Sequence, residues 1–282
     1  MKIHYYLLLI ILIFINIKIL AKEFIIRNNE DDFDVIKNIN DVVNNEIVFN
    51  FVDEYYNITY SDSRYEITVN SNITFKGNKN GSIFDYLYEN NRALFFLVDN
   101  ANSKKYTIKF ENIIFRNYNE DLNLSGMQLI RVKSISDNFY LHFDNCTFQN
   151  NYYSVVRVDL TCLKPSHTDP SIVFDNCSFF NNTNKVISAR KKEEKDDRGI
   201  NELNDCLQIN IKNSNFEDNK GLFYINNGKL TIDNYKSFEE ERGALYYSET
   251  SSNELNIKNS WFENIHVKSI IPLIYDEGLV LK

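Results

Sequence analysis

The stretch Phe143-Asp144-Asn145-Cys146-Thr147-Phe148-Gln149-Asn150-Asn151 returns 31 residues later as Phe174-Asp175-Asn176-Cys177-Ser178-Phe179-Phe180-Asn181-Asn182. A recurrence of this kind marks a chain built from stacked repeats. Weaker copies flank both. Aligning each Asn that stands three residues before a Phe gives Asn72/Phe75, Asn112/Phe115, Asn145/Phe148, Asn176/Phe179, Asn213/Phe216 and Asn259/Phe262. Asn234/Phe238 is a seventh copy with one extra residue, and the Asn-to-Asn spacings are 40, 33, 31, 37, 21 and 25.

Each repeat reads as three short strands. Before the Asn stands an alternating apolar run, such as Tyr106-Thr107-Ile108-Lys109-Phe110 or Leu207-Gln208-Ile209-Asn210-Ile211. The Phe lies in a second run, a polar turn follows, and a third run closes the repeat, as in Val155-Val156-Arg157-Val158. Period-2 alternation rich in Ile, Thr, Tyr and Phe predicts strand. A 21-residue repeat with three strands has no room for a helical crossover. It does fit one turn of a right-handed parallel β-helix, an all-β solenoid in which each strand pairs with its equivalent about 4.8 Å away. Like residues then stack in files. The Phe file is expected inside, and the Asn file at a tight bend where a short amide tolerates left-handed geometry. A two-sheet sandwich is the competing fold, but it gives no reason for seven Asn-x-x-Phe copies.

Phe148-Gln149-Asn150-Asn151, Phe179-Phe180-Asn181-Asn182, Phe216-Glu217-Asp218-Asn219 and Phe75-Lys76-Gly77-Asn78 resemble the F-x-x-N element of the polymorphic outer-membrane-protein repeat. Arg242-Gly243-Ala244-Leu245 and Lys220-Gly221-Leu222-Phe223 stand where that repeat carries its Gly-Gly-Ala-Leu-like element. The resemblance spans roughly 66–282 and implies the pectin-lyase-like β-helix superfamily. The fourth-position Asn is replaced in three copies, by Tyr118, Glu241 and Ile265, and the double Gly is never complete.

Residues 1–21 join Lys2 to an apolar run from Tyr5 to Ile17 and end at Ala21. They read as a secretory signal peptide, with an uncleaved anchor as the alternative. Residues 22–65 read as an N-terminal cap. Phe33, Ile36, Ile39 and Val43 have helical spacing over 31–43, Asn29 is the expected N-cap, and Asp31 and Asp32 suit the first turn. A solenoid needs its first coil covered; receptor binding is the rival role for this helix. Coils are expected over 66–282, interrupted by insertions at 161–171 and 190–205 that suit solvated loops or contact sites. The chain stops within a strand signal at Gly278–Lys282, which reads as a piece of a longer protein, with a naturally short chain that pairs its open edge as the alternative.

With 31 basic against 39 acidic residues, a net charge of −8, neither nucleic acid nor an anionic membrane surface is an expected partner. A membrane link is expected only through an uncleaved signal or a further C-terminal segment. Four cysteines suit an oxidising compartment. Cys146 and Cys177 hold equivalent positions in successive repeats, within reach of a disulfide or of a stacked pair of free thiols. Cys162 and Cys206 flank the two insertions and are a second candidate pair. The sequons at Asn57, Asn80, Asn123 and Asn181 fall in expected turns and are candidate glycosylation sites, whereas those at Asn145 and Asn176 belong to the structural Asn file.

No cofactor or metal site is expected. Glu111, Asp144 and Asp175 share a file that could hold Ca²⁺, yet Lys212 and Lys258 continue it, which favours a solvated charge row. His142, His167 and His266 share no file. The resemblance raises polysaccharide cleavage, but no Asn-Thr-Asp, Gly-His-Gly or Arg-Ile-Lys motif occurs, and Asp31-Asp32 and Asp196-Asp197 lie off the coil strands. The expected role is therefore a secreted or cell-surface, non-catalytic scaffold or adhesion module for a glycan or protein, with a polysaccharide lyase or glycoside hydrolase as the alternative.

Overall fold

A computed structural model describes residues 21–282 apart from 38, 40–45, 59–64, 89–93, 99–103, 120–127, 153, 163–166, 184–185, 192–205, 220, 222, 227–228, 234–235, 239–245, 249–252, 264–273, 277–278 and 282. The expected signal segment, Val43, Asn123, His266 and most of the second insertion lie outside the described residues.

The chain is a parallel β-helix. Its described strands form three sheets, one of ten strands and two of eight. The chain runs from the first sheet to the second to the third, then back to the first one coil further on. In the coil of the decisive stretch these strands are Phe139–Asp144, Thr147–Gln149 and Val156–Leu160. Each pairs in parallel with its equivalents on either side: Phe143 with Phe110 and Phe174, Phe148 with Phe115 and Phe179, Val158 with Val132 and Ala189. Among the described residues the one pairing of consecutive strands is Lys22–Ile26 with Ile47–Phe51, across the N-terminal helix; beyond it each strand pairs only with its equivalents in neighbouring coils.

The files fill the interior as the repeat predicts. Phe115, Phe148, Phe179 and Phe216 are fully buried, with successive ring centroids 5.2, 4.9 and 4.3 Å apart and planes within 13°. A second file, Phe49, Phe75, Phe110, Phe143 and Phe174, climbs the first sheet at 4.6–5.2 Å between rings. The two files meet edge to face, as with Phe143 and Phe148 at 5.5 Å and 73°. Stacked and T-shaped contacts are both favoured aromatic geometries.

One residue makes the corner between the first and second sheets. Asn112, Asn145, Asn176, Asn213 and Asn259 all have φ of 48–56°. That region costs other L-residues about 1–2 kcal/mol, and Asn enters it readily because its side chain bonds locally. Here the amides bond along the file: Asn145 Nδ2 donates to Asn112 Oδ1 at 2.6 Å, and Asn176 Nδ2 to Asn145 Oδ1 at 3.1 Å. Further on, Asn213 and Asn259 donate instead to Asp175 and Asp233, at 3.0 and 2.9 Å.

Two of the seven copies are out of register. Phe75 pairs with Phe49 and Phe110, so Asn72/Phe75 belongs to the first sheet. The interior residue of that coil's second strand is Phe84, opposite Phe115. Gly77 follows Lys76 at the corner, where a Cβ would collide with the Asn112 carbonyl oxygen. For the same reason Phe75-Lys76-Gly77-Asn78 is no equivalent of Phe148-Gln149-Asn150-Asn151. In the extra-residue copy, Ser237 rather than Phe238 pairs with Phe216 and Phe262, because the inserted residue shifts the register by one.

The N-terminal helix is described over Glu30–Lys37; positions 38 and 40–43 of the expected 31–43 lie outside the described residues. Asn29 is its N-cap, accepting from the Asp32 N–H at 2.9 Å. Phe33, Ile36 and Ile39 are buried, and the Phe33 ring packs 5.8–6.5 Å from Phe51, Tyr56, Tyr65 and Phe84. The helix thus closes the first coil. That coil starts earlier than 66: Ile47–Phe51, Tyr55–Asn57 and Tyr65–Thr68 already belong to the three sheets. Among the described residues no helix is long and apolar enough to cross a membrane.

Candidate functional site

Side chains that alternate with the core point out from the three sheets, so every outward residue has neighbours one coil above and below. Among the described residues, the outward side chains of the coils stand in these rows and at the corners.

On the first sheet, Glu111, Asp144, Asp175, Lys212, Asp233 and Lys258 stand in one register row. Lys109 Nζ lies 2.8 Å from Glu111 and 3.0 Å from Asp144. Burial would lower the Lys109 pKa, but its bonds to the two carboxylates outweigh that and raise it. The lysine supplies the positive charge that a bound cation would bring, so the row is a self-neutralising charge ladder. His142 lies beside it, its ring 5.3 Å from Tyr140. Burial lowers the His142 pKa against the attraction of Asp144. His167 is elsewhere, its ring bonded to Asn138 at 3.0 Å.

On the third sheet, Arg131 and Arg157 pair in register, and both bind the buried Asp159, at 2.8 and 3.2 Å. Arg131 also lies over the Phe95 ring at 5.3 Å. Further along, Tyr224, Tyr247 and Tyr275 stack face to face at 5.6 and 5.0 Å.

The second sheet and the corner after it carry a different arrangement. Asp85, itself buried, accepts from Arg116 Nε and Nη2 at 2.8 Å each, from Asn117 Nδ2 at 2.8 Å and from the Leu87 N–H at 3.0 Å. Burial would raise its pKa, but the Leu87, Asn117 and Arg116 bonds outweigh that and hold it below the usual carboxylate value. The Arg116 guanidinium lies 5.7 Å from the Tyr55 ring. Leu87 and Tyr88 follow with φ of 49° and 59°. Bulky residues rarely adopt that region, and holding them there costs on the order of 1–3 kcal/mol each. Later coils turn this corner on Asn117, Asn150, Asn181 or Asp218, all with positive φ. Tyr86 instead goes straight inside against Tyr118, at 5.5 Å, and leaves the turn to Leu87 and Tyr88. The Tyr88 ring rests edge to face on Tyr152 at 5.4 Å. Asp85 and Arg116 carry no motif. The sequence signal for this site is Tyr86, two residues after Phe84, where the later coils place Asn117, Asn150, Asn181 or Asp218.

Behind that corner the fourth-position asparagines turn inward. Asn151, Asn182 and Asn219 are fully buried. Asn151 Nδ2 donates to Asn182 Oδ1 at 2.9 Å, and Asn182 Nδ2 to Asn219 Oδ1 at 2.8 Å. Each Nδ2 also bonds the carbonyl of Phe115, Phe148 or Phe179. Where Tyr118 replaces the Asn, its N–H still donates to Asn151 Oδ1 at 3.0 Å. These amides are structural.

Cys162 and Cys206 form a disulfide across 44 residues. Cys146 and Cys177 do not pair; both are buried free thiols. Each bonds a carbonyl of its own coil and one of the coil before, Asp144 and Phe110 for Cys146 and Asp175 and Phe143 for Cys177, at 3.4–3.5 Å. Burial pushes the Cys146 thiol up to about 12 and that of Cys177 well above its ordinary value. Asn80 lies exposed in a turn and Asn181 at the second corner. Asn57 is not in a turn: it lies in the strand Tyr55–Asn57, its N–H bonded to Asn28.

No protein-family model matches the chain, and no curated protein matches it.

Proposed function

We propose that this chain is a secreted or cell-surface β-helix of the pectin-lyase-like kind. It acts as a non-catalytic scaffold or adhesion module and offers an extended surface to a glycan or a protein. The observation that carries this reading is how outward charge is used. Lys109 is tied to Glu111 and Asp144, Arg131 and Arg157 to Asp159, and Arg116 to Asp85. General acid–base work needs a group whose pKa lies near the working pH. Lys109 and Asp85 are instead displaced away from neutrality. The Cys162–Cys206 disulfide is in keeping with an oxidising, extracellular setting.

One observation favours the alternative, a polysaccharide lyase or glycoside hydrolase. Glu111, Asp144 and Lys109 place two carboxylates and a base on one face. Its weakness is that Lys109 is held protonated. The test incubates the purified chain with pectin and polygalacturonate and follows unsaturated and reducing sugar. The scaffold reading predicts no release above a heat-denatured control. Release that Glu111→Gln or Lys109→Ala abolishes would establish the enzyme instead.

A further inference from the structure

Four large side chains stand exposed around the Asp85–Arg116 pair: Tyr55 at 38%, Leu87 at 43%, Tyr88 at 46% and Tyr152 at 50%. They are linked by direct contacts. Tyr55 lies against Arg116, Arg116 and Asn117 both hold Asp85, Asp85 holds the Leu87 N–H, and Tyr88 rests on Tyr152. Left-handed backbone at Leu87 and Tyr88 turns this corner with two large side chains where later coils use Asn or Asp.

From this arrangement we infer that the corner around Tyr55, Leu87, Tyr88 and Tyr152 is a binding site for a neutral glycan. The inference rests on the binding-module reading above and names its ligand class. Size and charge select the ligand. Half-exposed side chains that each bury about 150–250 Å² when covered offer together on the order of 300–400 Å². A stable protein partner needs roughly 800 Å² on each side. The patch therefore suits a short segment of a small chain. Among the described side chains that link the patch, the Asp85 carboxylate and the Arg116 guanidinium neutralise each other in a 2.8 Å pair, so neither is free to draw an anionic or cationic ligand. A sugar ring presents apolar C–H faces to tyrosine rings and hydroxyls to amides. Asn117 lies at this corner, its carbonyl accepting from the Tyr88 N–H at 2.8 Å, and the corner amides of Asn150 and Asn181, joined at 2.9 Å, continue its file into the next coils.

The tyrosine stack on the third sheet does not compete for this role. Tyr224, Tyr247 and Tyr275 lie face to face, so the middle ring has both faces covered by its neighbours.

The test applies the purified chain to an array of neutral and anionic oligosaccharides, with a panel of extracellular-matrix proteins beside it. The best glycan is then titrated calorimetrically against Tyr88→Ala, Tyr152→Ala and, as a control from the other face, Tyr275→Ala. We expect a neutral oligosaccharide to be retained. Tyr88→Ala and Tyr152→Ala should each weaken it at least about tenfold with an unchanged circular dichroism spectrum, and Tyr275→Ala should leave it intact. Glycan binding that survives both substitutions, or that is restricted to anionic sugars, would overturn this site while leaving the adhesive reading in place. Retention of matrix protein alone would do the same. Retention of nothing would overturn both.

Discussion

Asn182, buried inside the coil, donates its side-chain amide to Asn219 Oδ1 at 2.8 Å while its own Oδ1 accepts from Asn151. The chain thereby carries a hydrogen-bonded file through an interior dominated by aromatic and aliphatic side chains. Removing one rung leaves buried groups without partners on both sides, each costing about 1–3 kcal/mol. Asn182→Ala is therefore expected to destabilise by about 3–5 kcal/mol in urea unfolding. Asn181→Ala, one residue away on the surface, should cost about 1–2 kcal/mol, the preference of Asn for its left-handed corner. Similar losses for both would contradict the buried file.

The phenylalanine file makes a second demand. Phe179 lies between Phe148 and Phe216, with rings at 4.9 and 4.3 Å. Phe179→Ala should cost about 3–5 kcal/mol, the usual result of emptying a packed aromatic site. Phe179→Leu, which refills most of the volume, should recover more than half of that.

The two kinds of cysteine should behave oppositely. Cys146 and Cys177 are buried, and Cys146 titrates only near pH 12, so neither should react with a thiol-directed disulfide reagent until the chain unfolds. Rapid labelling of the native protein at pH 8 would refute this. Reducing Cys162–Cys206 releases a loop with a sequence separation of 44, which the chain-entropy relation makes about 4 kcal/mol. Reductant should lower the melting temperature without changing the far-ultraviolet spectrum at room temperature.

Stability should also fall in mildly acidic solution because of His142. Burial disfavours its protonated form, so its folded pKa is lowered. Above about pH 6.5 the ring is neutral in both states and the fold keeps its full stability. Below that, the unfolded chain takes up a proton that the folded chain resists, so stability is lost as pH falls towards the folded pKa. The drop in melting temperature from pH 7.5 to 5.5 should be smaller in His142→Gln than in wild type. An equal drop would remove His142 from the account.

Legibility in the sequence followed the degree of repetition. Where Asn and Phe recur three apart, as at Asn112/Phe115 to Asn213/Phe216, file, corner and burial could all be read directly. Asn72/Phe75 misled because the first sheet has its own phenylalanine file, and a local three-residue spacing cannot tell one file from the other. The cap helix was visible through Asn29 and the Phe33/Ile36 spacing. The fate of Cys146 and Cys177 was not, because stacked positions allow either state and only the direction of each S–H decides. The Asp85 corner was hidden for a further reason. It departs from the repeat, and its strain and contacts arise from four coils whose residues lie far apart in the chain.

Equivalent residues of successive coils stack in one register. Lys76, Lys212 and Lys258 share a row of the first sheet, with Lys212 four coils and Lys258 six coils beyond Lys76. Nitroxide labels on Cys-substituted pairs, read by pulsed electron–electron resonance, measure that row directly. With a rise of about 4.8 Å per coil, the 76/212 pair should lie roughly 19 Å apart and the 76/258 pair roughly 29 Å apart, before allowance for the label arms. Distances that do not lengthen by about 10 Å between the two pairs would contradict the stacked coil.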